Sequence, residues 1–263
     1  MRDWARIAVR VDQAHEALGH RSFEAAGAVF VTNPDLPDIH VANYARSVTA
    51  ATPAEIDALL DRADREFAAC PHRCFEVDRD TPPPFERRLV LDGYDARDFV
   101  LMVLDGPLGG RPGAADLRLA TRAEEWTAAD RLKRLDWAEA RAKLGRDPLP
   151  AVGERLARLA RLKTPPDRKW LVWADGEARG MASVWDGLDG VGQVEDVFVE
   201  PDYRLRGLAT ALLHRCVSDA RERGAGALML VADAADTPQA MYAAMGFRHA
   251  GTKRRYVRYS KSD

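Results

Sequence analysis

Apolar residues along this chain recur with periods that name its elements. In "TPAEIDALLDRADREF", Ile56, Leu59, Leu60, Ala63 and Phe67 repeat every 3.6 residues. Thr52, Pro53 and Glu55 open that run as a cap, a first-position proline and a capping-box partner, so a helix is predicted from Pro53. "GLATALLHRCVSDARERG" places Leu208, Leu212, Leu213, Cys216, Val217 and Ala220 on one helical face, with Gly224 as a stop. "LRLATRAEEWTAADRLKRLDWAEARAKLG" predicts a strand, a turn and a long amphipathic helix. "KWLVWADGEARGMASVWDG" predicts a hairpin turning at Asp175-Gly176. "VEDVFVEPDYRLRGLATALLH" predicts a strand, a bend at Pro201 and then a helix.

Two long stretches share one grammar. "CFEVDRDTPPPFERRLVLDGYDARDFVLMVL" and "MLVADAADTPQAMYAAMGFRHAGTKRRYVRY" each carry a strand ending in Asp, at Asp78 and Asp233. Asp-Thr-Pro then opens a helix (Asp80 and Pro82; Asp236 and Pro238), and a glycine-aromatic pair ends it (Gly93-Tyr94; Gly246-Phe247) before another strand. The spacing from proline to glycine differs, as in a diverged duplication. Two tandem α/β units are therefore expected. The Gly- and Pro-rich residues 105–116, "DGPLGGRPGAAD", are the expected linker. This divides the chain into residues 1–112 and 113–263.

Composition narrows the class. The 263 residues are 46% hydrophobic and 30% charged, with a formal net charge of -2, as in an ordinary globular protein. That balance gives no reason to expect a nucleic-acid or membrane partner. No apolar run reaches the length of a bilayer span, and the N-terminus does not read as a signal peptide. Three cysteines argue against a disulfide framework and for a reducing, cytoplasmic setting. Cys70, His72 and Cys74 in "CPHRC" lack a fourth ligand and a second paired motif, so buried thiols are expected there and no metal site. The basic "TKRRYVRYSK" with its interleaved tyrosines reads as a terminal strand whose charges face solvent.

The helix after Pro201 begins without the usual Ser, Thr, Asp or Asn cap. Its turn reads Arg204, Leu205, Arg206, Gly207, Leu208, Ala209, Thr210. Gly207 allows close approach to the backbone, and N–H groups from Leu205 through Thr210 could wrap an anion such as a phosphate. Arg204 and Arg206 add charge. Alone, R-x-x-G-x-A is a short pattern that a surface turn with solvated arginines would also give.

Together with Glu195 and Asp196 on the preceding strand and "QAMYAAMGF" further on, the stretch "VFVEPDYRLRGLA" resembles the GCN5-related N-acetyltransferases (GNAT), over roughly residues 117–259. The resemblance implies a tandem arrangement of two GNAT-like units, each a mixed, mostly antiparallel sheet flanked by helices, with the site degenerate in the first. It implies acetyl-CoA as cosubstrate, its pyrophosphate at Arg204–Thr210 and its pantetheine arm along the backbone of Val197, Phe198 and Val199, paired like an added strand. It implies direct acetyl transfer to the amine of a small molecule or peptide, which needs a base, an oxyanion donor and an acid.

Glu195 is the expected base, acting through water; strand alternation puts it on one face with Val197 and Val199 and turns Asp196 away. Asp196, or a residue from another strand, is the alternative base. Tyr242 matches the family tyrosine that protonates the departing CoA thiolate. Relatives often carry an Asn near the start of that helix, where this chain has Ala235 or Asp236. In the first unit Leu89 stands at the position equivalent to Tyr242, and a Thr52 cap replaces the open turn. A non-catalytic acyl-CoA-binding module would show the same cradle without needing Glu195 and Tyr242. The mixed charge of "WAEARAKLGRDPLPAVGERLARLARLKTPPDRKW" announces no particular amine.

Overall fold

A computed structural model describes residues 2–235 and 238–259. In chain order its elements are α1 (Trp4–Glu16), β1 (Arg21–Ala25), β2 (Ala28–Thr32), β3 (Tyr44–Arg46), α2 (Pro53–Glu66), β4 (His72–Val77), α3 (Pro83–Leu91) and β5 (Asp95–Leu104). There follow β6 (Asp116–Leu119), α4 (Ala123–Lys143), α5 (Pro150–Leu162), β7 (Arg168–Ala174), β8 (Glu177–Leu188) and β9 (Val191–Val199). The last are α6 (Leu208–Glu222), β10 (Ala227–Asp233), α7 (Pro238–Ala244) and β11 (Arg248–Tyr259). Two compact units result. The first runs to Leu101 and includes the stretches beginning at Ala232 and Ala250; the second runs from Met102 to Val231 and includes the stretch ending at His249.

In the first unit the strands lie in the order β1-β2-β3-β4-β11. β1–β2, β2–β3 and β4–β11 pair antiparallel, and β3 touches β4 in parallel at Ala45 and Phe75. Phe30, Leu59, Phe67, Phe75, Phe85, Leu89 and Tyr256 form its buried core. α2 starts as its sequence dictates. The Glu55 N–H donates to Thr52 Oγ1 at 3.4 Å, and the N–H groups of Thr52 and Ala51 donate to Glu55 Oε2 at 2.9 and 3.0 Å.

The terminal strand departs from its reading. Lys253 and Arg255 are buried rather than solvent-facing. The Lys253 ammonium donates to Asp12 and, at 3.0 Å, to Glu16, and is ion-paired with Glu76 at 2.8 Å, while Arg255 reaches Glu16 at 2.6 Å and Glu76 at 3.0 Å. β11 pairs with β4 and α1 supplies Asp12 and Glu16, so a strand that looks like an exposed edge carries its charges into an ion-pair network. Ser260 and Lys261 of that stretch lie outside the described residues, as do Asp236 and Thr237. Asp12, Glu16 and Glu76 gather closely enough to suggest a cation site, and the cation among them is the chain's own ammonium.

Burial, followed by the Glu16 carboxylate, pushes the Glu76 carboxyl from its ordinary 4.5 up to about 7. Between those values the unfolded chain releases this proton while the folded chain keeps it, so this group's contribution makes stability fall as pH rises. Wild type is therefore expected to lose stability across this window relative to Glu76→Gln. Urea unfolding of both at several pH values checks this; parallel curves would contradict it.

In the second unit the order is β10-β9-β8-β7-β6, antiparallel except for the parallel β9–β10 pair. The β7–β8 hairpin turns at Asp175 (φ 51°) and Gly176 (φ 81°), both left-handed, as the predicted Asp-Gly turn requires. Helix α4 packs Ala129 and Leu132 onto Leu171, Met181 and Phe198. Helix α6 takes the other face, where the Trp170 indole N–H donates to Asp219 at 2.8 Å. The Gly-rich segment after β5 is anchored on this unit: the Gly109 N–H donates to the Met245 carbonyl at 2.8 Å, and Arg221 donates to the Gly106 carbonyl at 2.5 Å. Among the described residues, no helix is long and apolar enough to cross a membrane.

The repeated grammar folds into a repeated cap. The Tyr94 N–H donates to the Leu89 carbonyl at 3.1 Å and the Phe247 N–H to the Tyr242 carbonyl at 3.0 Å, each beside a left-handed glycine (φ 76° and 99°). Leu89 and Tyr242 thus hold equivalent positions on α3 and α7.

Candidate active site

The candidate residues collect where β9 leaves its parallel neighbour. β9 and β10 pair through Val191↔Ala227, Gly192↔Leu228 and Gln193↔Met229, and no register pair joins them beyond that point. Glu195, Val197, Phe198 and Val199 lie on the β9 stretch that follows, which leaves room for an extended chain to hydrogen-bond there.

The next element is the open turn. Gly207 adopts φ 78° at the N-cap of α6, and no side chain caps the helix. The Ala211 N–H donates to the Gly207 carbonyl at 3.0 Å, starting the helical ladder and leaving the N–H groups of Leu208, Ala209 and Thr210 without an intrahelical acceptor. Leu205 is fully exposed with φ 61°, and a Cβ at Gly207 would meet open space. The arginines brace the turn. Arg204 Nε donates to the Val199 carbonyl at 3.0 Å and its Nη2 to Glu139 on α4 at 2.5 Å, and Arg206 donates to the Asp202 carbonyl at 2.8 Å. The first unit differs at the equivalent place, where the carboxylate of Glu55 takes the free amides before α2.

Tyr242 is buried on α7, its ring 6.0 Å from that of Phe247. The Gly-rich segment brings α7 beside the first turn of α6: a Cβ at Gly110 would stand 3.6 Å from Thr210 Cγ2 and 4.0 Å from Met245 Cε.

Glu195 and Asp196 are not arranged as strand alternation predicts. Ser183 pairs with Glu195 and Met181 with Phe198, so β9 has one more residue than β8 between those pairs, a β-bulge. Counting across it puts Glu195 on the face of Phe198, towards α4, and Val199 on the other. Asp196, at φ 54°, also turns towards α4, where Lys133 and Lys169 bind its two carboxylate oxygens at 2.8 and 2.6 Å. Burial opposes its ionisation, yet the two ammonium groups outweigh that and hold its carboxyl well below the usual carboxylate range. Glu195 Oε1 accepts one bond, from Gln193 Nε2 at 2.6 Å. Lys133, Lys169 and Glu139 belong to this neighbourhood, and no sequence spacing pointed to them.

The fold places the chain among mixed α/β proteins with a mostly antiparallel sheet flanked by helices, and solved structures share it. A GCN5-related N-acetyltransferase from Kribbella flavida superposes with a TM-score of 0.69 at 21% identity, covering 96% of this chain and 94% of that one. Another from Sphaerobacter thermophilus gives 0.62 at 16% identity, over 99% and 92%. A tandem GNAT protein from the clavulanic acid biosynthesis pathway gives 0.59 at 14%, over 90% and 79%. Residues 129–247 match the model of the Acetyltransferase (GNAT) family. A search of curated protein sequences finds no match.

Proposed function

We propose that the chain is an acetyl-CoA-dependent N-acetyltransferase that moves an acetyl group directly to a primary amine of a small molecule or peptide. One observation carries this reading: in the family-matched region, β9 parts from β10 after Gln193 and leads, through the turn at Pro201, into an uncapped helix whose N-cap is a left-handed glycine. The backbone of Val197, Phe198 and Val199 would receive the pantetheine arm. The amides from Leu205 through Thr210 would receive the pyrophosphate, with Arg204 and Arg206 bracing the turn. Buried, free thiols at Cys70, Cys74 and Cys216 support a reducing, cytoplasmic setting. Residues 113–263 would supply the acetyltransferase domain, apart from the stretches from Ala232 and from Ala250 that pack in the first unit. Residues 1–112 would form a related unit that has lost the site, a reading supported by Glu55 occupying its amides and by Leu89 in place of a tyrosine.

In this scheme Glu195 takes a proton from the acceptor ammonium through water, and the amine nitrogen attacks the thioester carbonyl carbon. The C–S bond would break as the oxyanion collapses, the attached nitrogen would give its second proton to water, and the Tyr242 hydroxyl would give a proton to the CoA thiolate. Asp196, doubly ion-paired, is a poor base, which supports the assignment to Glu195.

With an amine panel read by free-thiol release, Glu195→Gln and Tyr242→Phe are each expected to lower kcat about a hundredfold while acetyl-CoA affinity stays within about twofold. Affinity without turnover in the wild type, or turnover indifferent to both changes, would contradict these roles.

A further inference from the structure

We infer that Asp196, Lys133 and Lys169 form a positioning clamp that holds the β9 bulge in the shape the acetyl-CoA site requires. Asp196 is a non-glycine residue at φ 54°, a conformation Asp tolerates better than most but at a cost in energy. The bulge it belongs to lies just past Gln193, the last β9 residue paired with β10. Its backbone therefore sets where Val197, Phe198 and Val199 run, and to which side of the sheet Glu195 turns.

What holds that backbone is charge from two other elements. Lys133 reaches from α4 and also contacts Asp136 at 3.1 Å; Lys169 reaches from β7 and also donates to Ser183 Oγ at 3.1 Å. Ser183 is the cross-strand partner of Glu195, so the clamp grips the bulge from the strand beyond as well as from the helix above. Lys169 is almost fully buried, and a buried ammonium needs its counter-charge held close. The carboxylate can therefore not swing away without stranding that cation. An ion pair serving stability alone needs no strained residue; here it sits on the left-handed residue that redirects the strand. None of the three side chains is placed on the reacting atoms.

The inference rests on the acetyltransferase reading, and calorimetric titration of acetyl-CoA separates the two. Asp196→Gly permits the same φ without the carboxylate, Lys169→Met removes one arm, and Asp196→Asn keeps the left-handed tolerance and a hydrogen-bonding side chain. Val217→Ala, on the buried face of α6 in its third turn, serves as a destabilised control. If loss of the clamp leaves about a tenth of molecules in the receptive shape, Kd rises about tenfold. That rise is expected for Asp196→Gly and Lys169→Met, a smaller one is expected for Asp196→Asn, and none for Val217→Ala despite its lower melting temperature. Clamp variants that melt earlier yet bind within about twofold of wild type would make the ion pairs merely structural and overturn the inference. Folded wild type that binds no acetyl-CoA would instead overturn the acetyltransferase reading, and the clamp's role with it.

Discussion

Replacing Lys253 with Met is expected to destabilise the first unit by about 3–5 kcal/mol, the range seen when one partner of a buried ion pair is removed. The Lys253 side chain is 2% exposed and its ammonium meets Asp12, Glu16 and Glu76 together. Arg255 alone would remain to balance Glu16 and Glu76 from the same strand. Domains are stable by only about 5–15 kcal/mol, so such a loss brings the unit near unfolding at room temperature. Chemical denaturation followed by circular dichroism measures it. A midpoint unchanged from wild type would show that water or the neighbouring groups solvate these carboxylates well. Replacing the three carboxylates, Lys253 and Arg255 together by apolar residues is the useful companion, because removing a whole buried network is often close to neutral.

The second large effect is on ligand binding. Gly207→Glu is expected to abolish measurable acetyl-CoA binding while leaving the protein folded. A Cβ there meets nothing, so the change acts through conformation and charge. A non-glycine residue favours relaxation of the free turn away from φ 78°, and restoring that shape on binding costs about 1–2 kcal/mol. A carboxylate about 4 Å from a phosphate near the surface adds roughly 4 kcal/mol of repulsion. Their sum corresponds to about a thousandfold or more in Kd. Gly207→Ala carries the conformational part alone and is expected to weaken binding about tenfold. Equal binding by wild type and Gly207→Glu would move the ligand away from this turn.

Several features of the fold were legible because short-range rules decide them. The capping box at Thr52 and Glu55, the Asp175-Gly176 hairpin and the bare start of α6 all depend on residues within four positions of one another. So does the repeated glycine-aromatic cap at Gly93-Tyr94 and Gly246-Phe247. The face of Glu195 was misread for a definite reason. Strand alternation assumes a period of two, and nothing in "VEDVFVE" marks the extra residue that makes Asp196 a bulge. The burial of Lys253 was hidden in another way. In "TKRRYVRY" both faces of the strand carry cations, and the carboxylates that take Lys253 inside lie on α1, 241 and 237 positions earlier for Asp12 and Glu16. Lys133 and Lys169 were hidden likewise, being ordinary charged residues of a helix and a strand until the bulge brings Asp196 to them. The strands β1 to β3, short and partly exposed, left no clear period of their own.

The most direct measurement is calorimetric titration of acetyl-CoA into the wild-type chain. One saturable site per chain is the expected result, since α6 starts uncapped at Gly207 whereas Thr52 and Glu55 cap the start of α2. No heat of binding from folded protein would contradict the account at its centre. Two equivalent sites would contradict its division of labour between the units.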